Sequence, residues 1–265
     1  MNIVVCVKYV PDATADRHFE ADNTVDRVGV DGLLSELDEY AVEQGLQIKE
    51  KGDGSDEVTV VTVGPEKATD AIRKALQMGA DKGVHVVDDA IAGSDALATS
   101  LVLAKAIEKL GSDIPTDLVI CGMASTDGSM SVVPAMLAER LGLPQVTFGS
   151  EIEVDGTSVK IRRDGDNATE TIEASAPLVL SVTDQSGEAR YPSFKGIMAA
   201  KKKPLETWNL SDLGVDAGQV GLSAAWSQVV ATEARPPRTA GEIVTDEDGS
   251  GATALAEFLA SKKFI

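Results

Sequence analysis

The sequence predicts an α/β fold: a mainly parallel sheet covered by helices, then an antiparallel hairpin region, then an extended C-terminal arm. Three observations carry this. Over the first 145 residues, short β-branched runs alternate with helical patterns. After Pro144 the segments alternate in polarity and are separated by Asp-Gly pairs. Beyond Trp208 the periodicity fades.

The continuous apolar runs Asn2 to Lys8, Glu57 to Val63, Gly83 to Val87 and Asp117 to Gly122 read as strands buried on both faces. Helical patterns lie between them. Ser35 is placed to cap the first helix, with Asp38 in its first turn. Pro65 and Glu66 open the second, whose Ala68, Ile72, Ala75 and Leu76 share one stripe ending at Gly79. Ser94 opens the third, closed by Gly111. Ser129 opens the fourth, with Pro134 near its first turn and Gly142 beyond its end. The pairs Asp155-Gly156 and Asp164-Gly165 predict hairpins, and Ala176 to Thr183 returns to a buried strand. The stretch 209–250 holds scattered glycines, an acidic tract and the apolar residues Leu222, Trp226, Val229 and Val230. It reads as a tail laid over a partner. A last helical pattern closes the chain.

Forty-three acidic residues against 24 basic ones give a formal net charge of −19 over 265 residues. Such a chain repels phosphate backbones and anionic lipid, so neither nucleic acid nor a membrane surface is an expected partner. No apolar run approaches the roughly 20 residues of a bilayer span, so no direct membrane insertion is expected. Two cysteines, Cys6 and Cys121, make neither a disulfide framework nor a metal cluster. A reducing, cytoplasmic setting is expected. The two histidines, His18 in a polar loop and His85 in a strand, have no partners at ligand or triad spacing. Nucleophile elbow, Walker A and dinucleotide-turn motifs are absent, so the chain is not expected to be an enzyme with its own chemistry.

The informative junction is Asp117 to Pro144. A strand ends at Cys121-Gly122, a polar turn follows, and a helix is expected from Ser129. Ligands of open parallel sheets sit at the carboxyl ends of strands, and a helix N-terminus offers N–H donors to phosphate. Gly128 lets backbone come close, while Ser129 and Ser131 add hydroxyls. The strand ends at Val63-Gly64 and Cys6-Val7-Lys8 can line the same crevice. These residues point to a nucleotide; a free-standing nucleotide-binding α/β protein and an interaction module both remain compatible with them.

Taken in order, further stretches carry a resemblance. They are Val4 to Lys8, Glu39 to Glu43, Val63 to Pro65, Ala75 to Asp81, Gly122 to Pro144, Arg190-Tyr191 with Ile197-Met198 and Ala200 to Lys203, Asp212 to Val215, and Pro236 to Gly241. Over nearly its whole length the chain resembles the beta subunit of electron transfer flavoprotein. The resemblance implies an adenine-nucleotide-binding three-layer domain over 1–189, a partner-recognition loop over 190–204, and an arm over 205–265 that packs on an alpha subunit.

It further implies a heterodimer in which the alpha subunit holds most of the FAD. The pair carries electrons from acyl-CoA dehydrogenases and related flavoenzymes, as in fatty acid β-oxidation, to a membrane quinone oxidoreductase. The beta subunit would hold a structural AMP, or a second FAD in electron-bifurcating members. By position, Cys6, Lys8, Ser35, Val63, Gly122 and the run Asp127, Gly128, Ser129, Met130, Ser131, Val132 and Val133 would form that site. Many relatives read Asp-Gly-Asp-Thr and then an amide residue where this chain has Asp127-Gly128-Ser129-Met130-Ser131, so backbone contacts carry over and side-chain contacts do not. Ala13 stands where some relatives place an aromatic ring near flavin. The recognition loop would dock on the dehydrogenase through Tyr191, Phe194, Ile197 and Met198, with Phe194 as anchor. A short helix from Ser193 to Ala200 would put Lys201 to Lys203 at its negative end, which favours cations and is an alternative to a docking role for them.

Overall fold

The computed structural model describes residues 1–15, 17–233, 236, 241, 243–246 and 248–265. In chain order the elements are β1 (Asn2–Cys6), β2 (Tyr9–Pro11), β3 (Gly32–Leu34), α1 (Glu36–Lys51), β4 (Glu57–Val63), α2 (Thr69–Met78), β5 (Lys82–Val86), α3 (Ala96–Leu110), β6 (Leu118–Gly122) and α4 (Val133–Leu141). Then come β7 (Gln145–Gly149), β8 (Glu151–Asp155), β9 (Ser158–Asp164), β10 (Thr169–Ser175), β11 (Leu178–Val182), α5 (Phe194–Ala200), β12 (Leu205–Trp208) and α6 (Gly251–Ser261).

Seven strands form one sheet in the order β12-β5-β4-β1-β6-β11-β7, and every neighbouring pair is parallel. The period-2 geometry of a strand sends alternate side chains to opposite layers. Ile3 and Val5 of β1 join Leu118 and Ile120 of β6 in the layer that holds Val42 and Leu46 of α1 and Ile72 of α2. Val4, Cys6, Val119 and Cys121 join the layer of Val102 and Ile107 of α3 and Leu137 of α4. Full burial of such aliphatics stabilises by roughly 2 kcal/mol each, and this explains why the strands are apolar throughout.

The expected hairpins are present as the antiparallel sheet β10-β9-β8. Val159 and Ile161 face the core while the opposite face pairs Arg162 with Glu151 and Asp164. The first turn uses Gly156 at φ 57, a left-handed position open to glycine.

Several boundaries differ from the sequence reading. The first strand stops at Cys6 because the N–H of Lys8 turns to the Asp38 carboxylate (2.8 Å). The third helix begins at Ala96, capped by Asp95 rather than Ser94; the Asp95 carboxylate accepts from the Ala98 N–H at 2.9 Å. The fourth begins at Val133 and not at Ser129, since Ser129 (φ 51) and Ser131 (φ 57) are left-handed. Residues in that conformation cannot belong to a right-handed helix.

The first part of the 205–265 segment, expected as an arm, belongs to the sheet and its helical layer. Leu205–Trp208 pairs in parallel with Gly83 to Val86 as the edge strand β12. Leu210, Leu213, Val215 and Val220 are buried in the α3/α4 layer. Contacts divide the chain into Met1–Val230 and Ala231–Ile265. Within the second unit, α6 buries none of its residues, and Leu255 and Phe258 are exposed. Of the Pro236 to Gly241 motif only the two end residues are described, so Pro237, Arg238, Thr239 and Ala240 lie outside the described residues.

Candidate functional site

The chain runs from β1 to β4 and β5 on one side and later places β6, β11 and β7 on the other. The order of strands therefore reverses beside β1, and the crevice at such a switch point is where open parallel sheets take ligands. The carboxyl ends of three adjacent strands meet there. They bring together Cys6 at the end of β1 and Lys8 just after it, Val63 at the end of β4, and Gly122 at the end of β6.

Beneath this crevice lies the first turn of α1. Ser35 occupies the N-cap position, yet its hydroxyl makes no cap hydrogen bond. Its Oγ instead accepts from the Thr126 N–H (3.4 Å), and its N–H donates to the Lys8 carbonyl (2.9 Å). Asp38, buried, receives the N–H of Lys8 at 2.8 Å. Burial pushes its carboxyl up to about 7, against the opposing pull of the Lys8 N–H and the Lys8 ammonium. A Cβ on Gly122 would lie 2.6 Å from Asp38 Oδ1 and 2.7 Å from the Leu37 carbonyl, so α1 and β6 approach this closely only through glycine.

On the same face as Cys6, Cys121 stands next in register after the Val5–Ile120 pair; both thiols are free and buried. The hydrogen bond to Cys6, followed by burial, raises the Cys121 thiol well above its ordinary value. The Cys121 thiol is therefore not poised as a nucleophile.

The loop after β6 forms the upper wall. Asp127, whose side chain is almost fully buried, takes Lys8 Nζ on Oδ1 (2.9 Å) and Arg27 on Oδ2. Burial would raise this carboxyl, but the Lys8 charge and the Arg27 guanidinium hold it well below the carboxylate range. Arg27 also reaches the Tyr9 carbonyl (3.3 Å), and Arg17 donates to the Thr126 carbonyl (2.6 Å). Gly128 N–H bonds Asp127 Oδ1 (2.7 Å) and Ser125 Oγ (3.3 Å), closing the turn on itself.

Then the backbone opens. Among the described residues, the N–H groups of Met130, Ser131, Val132 and Val133 donate to no other group. They precede or begin α4, whose Val132 N-cap supplies no side-chain acceptor and whose next residue, Pro134, has no N–H. Met130 is exposed, and Ser131 to Val133 are partly exposed. A row of unused donors at the positive end of a helix suits an anion. Asp127 thus anchors the loop, while the N–H groups from Met130 to Val133 stay unused.

Arg17, Arg27, Ser125, Thr126 and the site role of Asp38 were not singled out from sequence. Arg27 and Asp127 are 100 positions apart, and nothing local marks either as the other's partner. Among the described residues no group of acidic, histidine or cysteine side chains could hold a metal ion. No helix among them is long and apolar enough to cross a membrane.

The other predicted site lies elsewhere on the surface. Ser193 caps α5 through its Oγ, which accepts from the Gly196 N–H at 3.0 Å. Tyr191 (91 % exposed), Phe194 (81 %), Ile197 and Met198 present apolar surface to solvent. Of the three lysines behind them, Lys203 turns inward and donates to the Leu76 and Ala80 carbonyls, at 3.0 and 2.5 Å. It thereby satisfies the C-terminus of α2 rather than that of α5, and burial lowers its pKa. Lys201 and Lys202 are exposed.

Fold and crevice define an open parallel α/β protein with a candidate anion site at its switch point and a separate apolar helix displayed outside. Comparison with known proteins then narrows the class. The electron transfer flavoprotein domain matches residues 22–213. The electron transfer flavoprotein subunit beta of Mycobacterium tuberculosis is 48% identical over 268 aligned residues, covering 100% of this chain and 99% of the relative. The protein of the same name from Thermoanaerobacterium thermosaccharolyticum is 38% identical, with 100% of both chains covered. The caffeyl-CoA reductase-Etf complex subunit CarD of Acetobacterium woodii is 34% identical over 99% of this chain and 97% of its own. The chain belongs to the electron transfer flavoprotein family, as a beta subunit.

Proposed function

We propose that this chain pairs with an alpha subunit and that the pair carries electrons from acyl-CoA dehydrogenases and related flavoenzymes to a membrane quinone oxidoreductase. In this reading the alpha subunit holds most of the FAD, and this chain holds a structural AMP. It contributes binding and docking surfaces and no catalytic residue. Its two free cysteines suit the cytoplasm.

The observation that carries the AMP site is the row of unused N–H donors from Met130 to Val133 at the start of α4. These donors fit a nucleotide phosphate whatever side chains replace the family's acidic and amide residues at Ser129 and Ser131. Gly122, Ser35 and Asp38 would form the floor; Cys6 and Val63 would line it; Lys8, with Asp127 and Gly128, would hold the loop in place. FAD, when bound between the subunits, supplies one- and two-electron redox chemistry. The chain's own part is to exclude water, fix the loop and present Tyr191, Phe194, Ile197 and Met198 to the electron donor.

A second reading places FAD where AMP would sit and makes the complex electron-bifurcating. The Acetobacterium relative, named as part of a complex with a CoA-ester reductase, is the reason to keep it. Co-purification with an alpha subunit, acid release of the nucleotides and their chromatography separates the two. One FAD and one AMP per heterodimer is the expected result, and two FAD would establish the second reading. A stable, colourless monomer that hydrolyses ATP would overturn both.

A further inference from the structure

Arg190 immediately precedes the displayed apolar segment, and its guanidinium is engaged entirely by α1. Nε and Nη2 take the two oxygens of Glu43 at 2.7 and 2.9 Å, and Nη2 also reaches Glu50 Oε2 at 3.0 Å. Nη1 bonds Glu50 Oε1, and the backbone N–H of Arg190 adds a further bond to Glu43 (3.1 Å). Glu43 is 5 % exposed and is held in turn by Gln47 Nε2 at 3.0 Å. Glu43, Gln47 and Glu50 are spaced four and three residues apart, so they share one face of α1. Burial alone would raise the Glu43 carboxyl, but Arg190 and Gln47 bring it below its ordinary value.

The other end of the segment is held by α2. Gly196 lies so near the Gln77 carbonyl that a Cβ there would sit 2.4 Å from it, and Lys203 binds two carbonyls at the end of the same helix. A seven-residue helix has no stability of its own in water. The order of α5 therefore comes from these anchors, while Tyr191 and Phe194 contribute almost nothing to the fold.

From this arrangement we infer that Arg190 is a positioning residue for partner docking. Through Glu43 and Glu50 it holds α5 ready-formed, so that Phe194 enters an apolar pocket of the electron-donating flavoprotein without an ordering cost at the moment of encounter. The inference rests on the reading of this chain as a docking electron-carrier subunit.

The test uses the purified heterodimer carrying Arg190→Gln, Phe194→Ala or both, with an acyl-CoA dehydrogenase reduced by its acyl-CoA as electron donor. Amide exchange in the free heterodimer is measured alongside. Arg190→Gln should raise the KM for the donor roughly 3- to 10-fold with kcat and flavin content unchanged, as expected for lost preorganisation. Exchange should quicken over residues 191–200 and not in α1. Phe194→Ala should raise the KM by roughly 30-fold, as a lost anchor does. In the Phe194→Ala background, Arg190→Gln should then add nothing. Arg190→Lys should restore only part of the effect, because an ammonium cannot make both forked pairs. Glu50→Gln removes one fork without leaving a buried charge unpaired, and serves if Arg190→Gln folds poorly. Unchanged exchange over 191–200, or an Arg190→Gln effect that persists in full without Phe194, overturns the positioning role. A KM unmoved by Phe194→Ala overturns the docking reading itself.

Discussion

Asp38 in the first turn of α1 accepts the backbone N–H of Lys8, just past the end of β1, at 2.8 Å. This bond joins a helix start to a strand end beneath the candidate site, and it does so with a buried acid. Gly122 packs directly against the same carboxylate and the Leu37 carbonyl, so β1 and β6 both meet α1 here. The site floor is therefore one closely packed unit.

That unit has a pH signature. The folded protein raises the Asp38 carboxyl to about 7, chiefly by burial, from an ordinary value of 3.8. The folded state then binds a proton that the unfolded state has released, so Asp38 lowers stability as pH rises from about 4 to 7. Measured against Asp38→Asn by denaturant unfolding, the wild type should lose a few kcal/mol of relative stability across that window. A constant difference between the two proteins from pH 4 to 7 would contradict the assignment.

Asp127 has the opposite sign. Lys8 and Arg27 hold its carboxyl far below 3.8 despite burial. Its contribution is present above the unfolded pKa and lost as pH falls below it toward the folded value. Both cations are partly exposed, which weakens the pairs by solvent screening. Asp127→Asn should destabilise by about 1–3 kcal/mol at pH 7 and by progressively less below pH 4. Nucleotide content of the complex should fall with it, since the loop that carries Met130 to Val133 loses its anchor. Urea titrations at the two pH values and nucleotide quantification check both.

Gly196→Ala sets helix propensity against sterics. Alanine is favoured over glycine in a helix by about 1 kcal/mol. Here its Cβ would meet the Gln77 backbone carbonyl at 2.4 Å, and a backbone atom at a helix end cannot swing away. Strain of about 1–3 kcal/mol should win. The expected result is a lower Tm and a higher KM for the electron donor; a raised Tm would show that α5 shifts freely on α2.

The three lysines should separate cleanly. Lys203→Met removes donors from two carbonyls at the α2 terminus and should cost about 1–2 kcal/mol. Lys201→Met and Lys202→Met, at exposed positions, should stay within about 0.5 kcal/mol of wild type. Thermal melts of the three variants side by side decide this.

The parallel core was legible because residues such as Val4, Val5, Val119 and Ile120 must be apolar on both faces, and a strand's own composition records that. Gly122 and the Asp127 to Val133 run were legible as a junction, because a strand end, a glycine and a helix start are local signals. The start of α4 was misplaced by four residues, from Ser129 to Val133, because left-handed Ser129 and Ser131 leave no mark in composition. Strand β12 was read as the start of an arm because four residues, two of them exposed, show too little periodicity.

By itself the sequence determined the α/β class, the first four helices with the long strands between them, the hairpins, and family membership through stretches spread along the chain. Tertiary structure alone decided which carboxylate serves which cation: Asp127 for Lys8 and Arg27, Glu43 and Glu50 for Arg190. It also turned Lys203 inward and left Phe194 outside. The physical reason is range. Periodicity and capping act over a few residues and are written in neighbouring side chains. Ion pairs between residues 100 or more positions apart depend on where the folded backbone carries them, and a chain with 43 acidic residues offers each cation too many partners to choose from in advance.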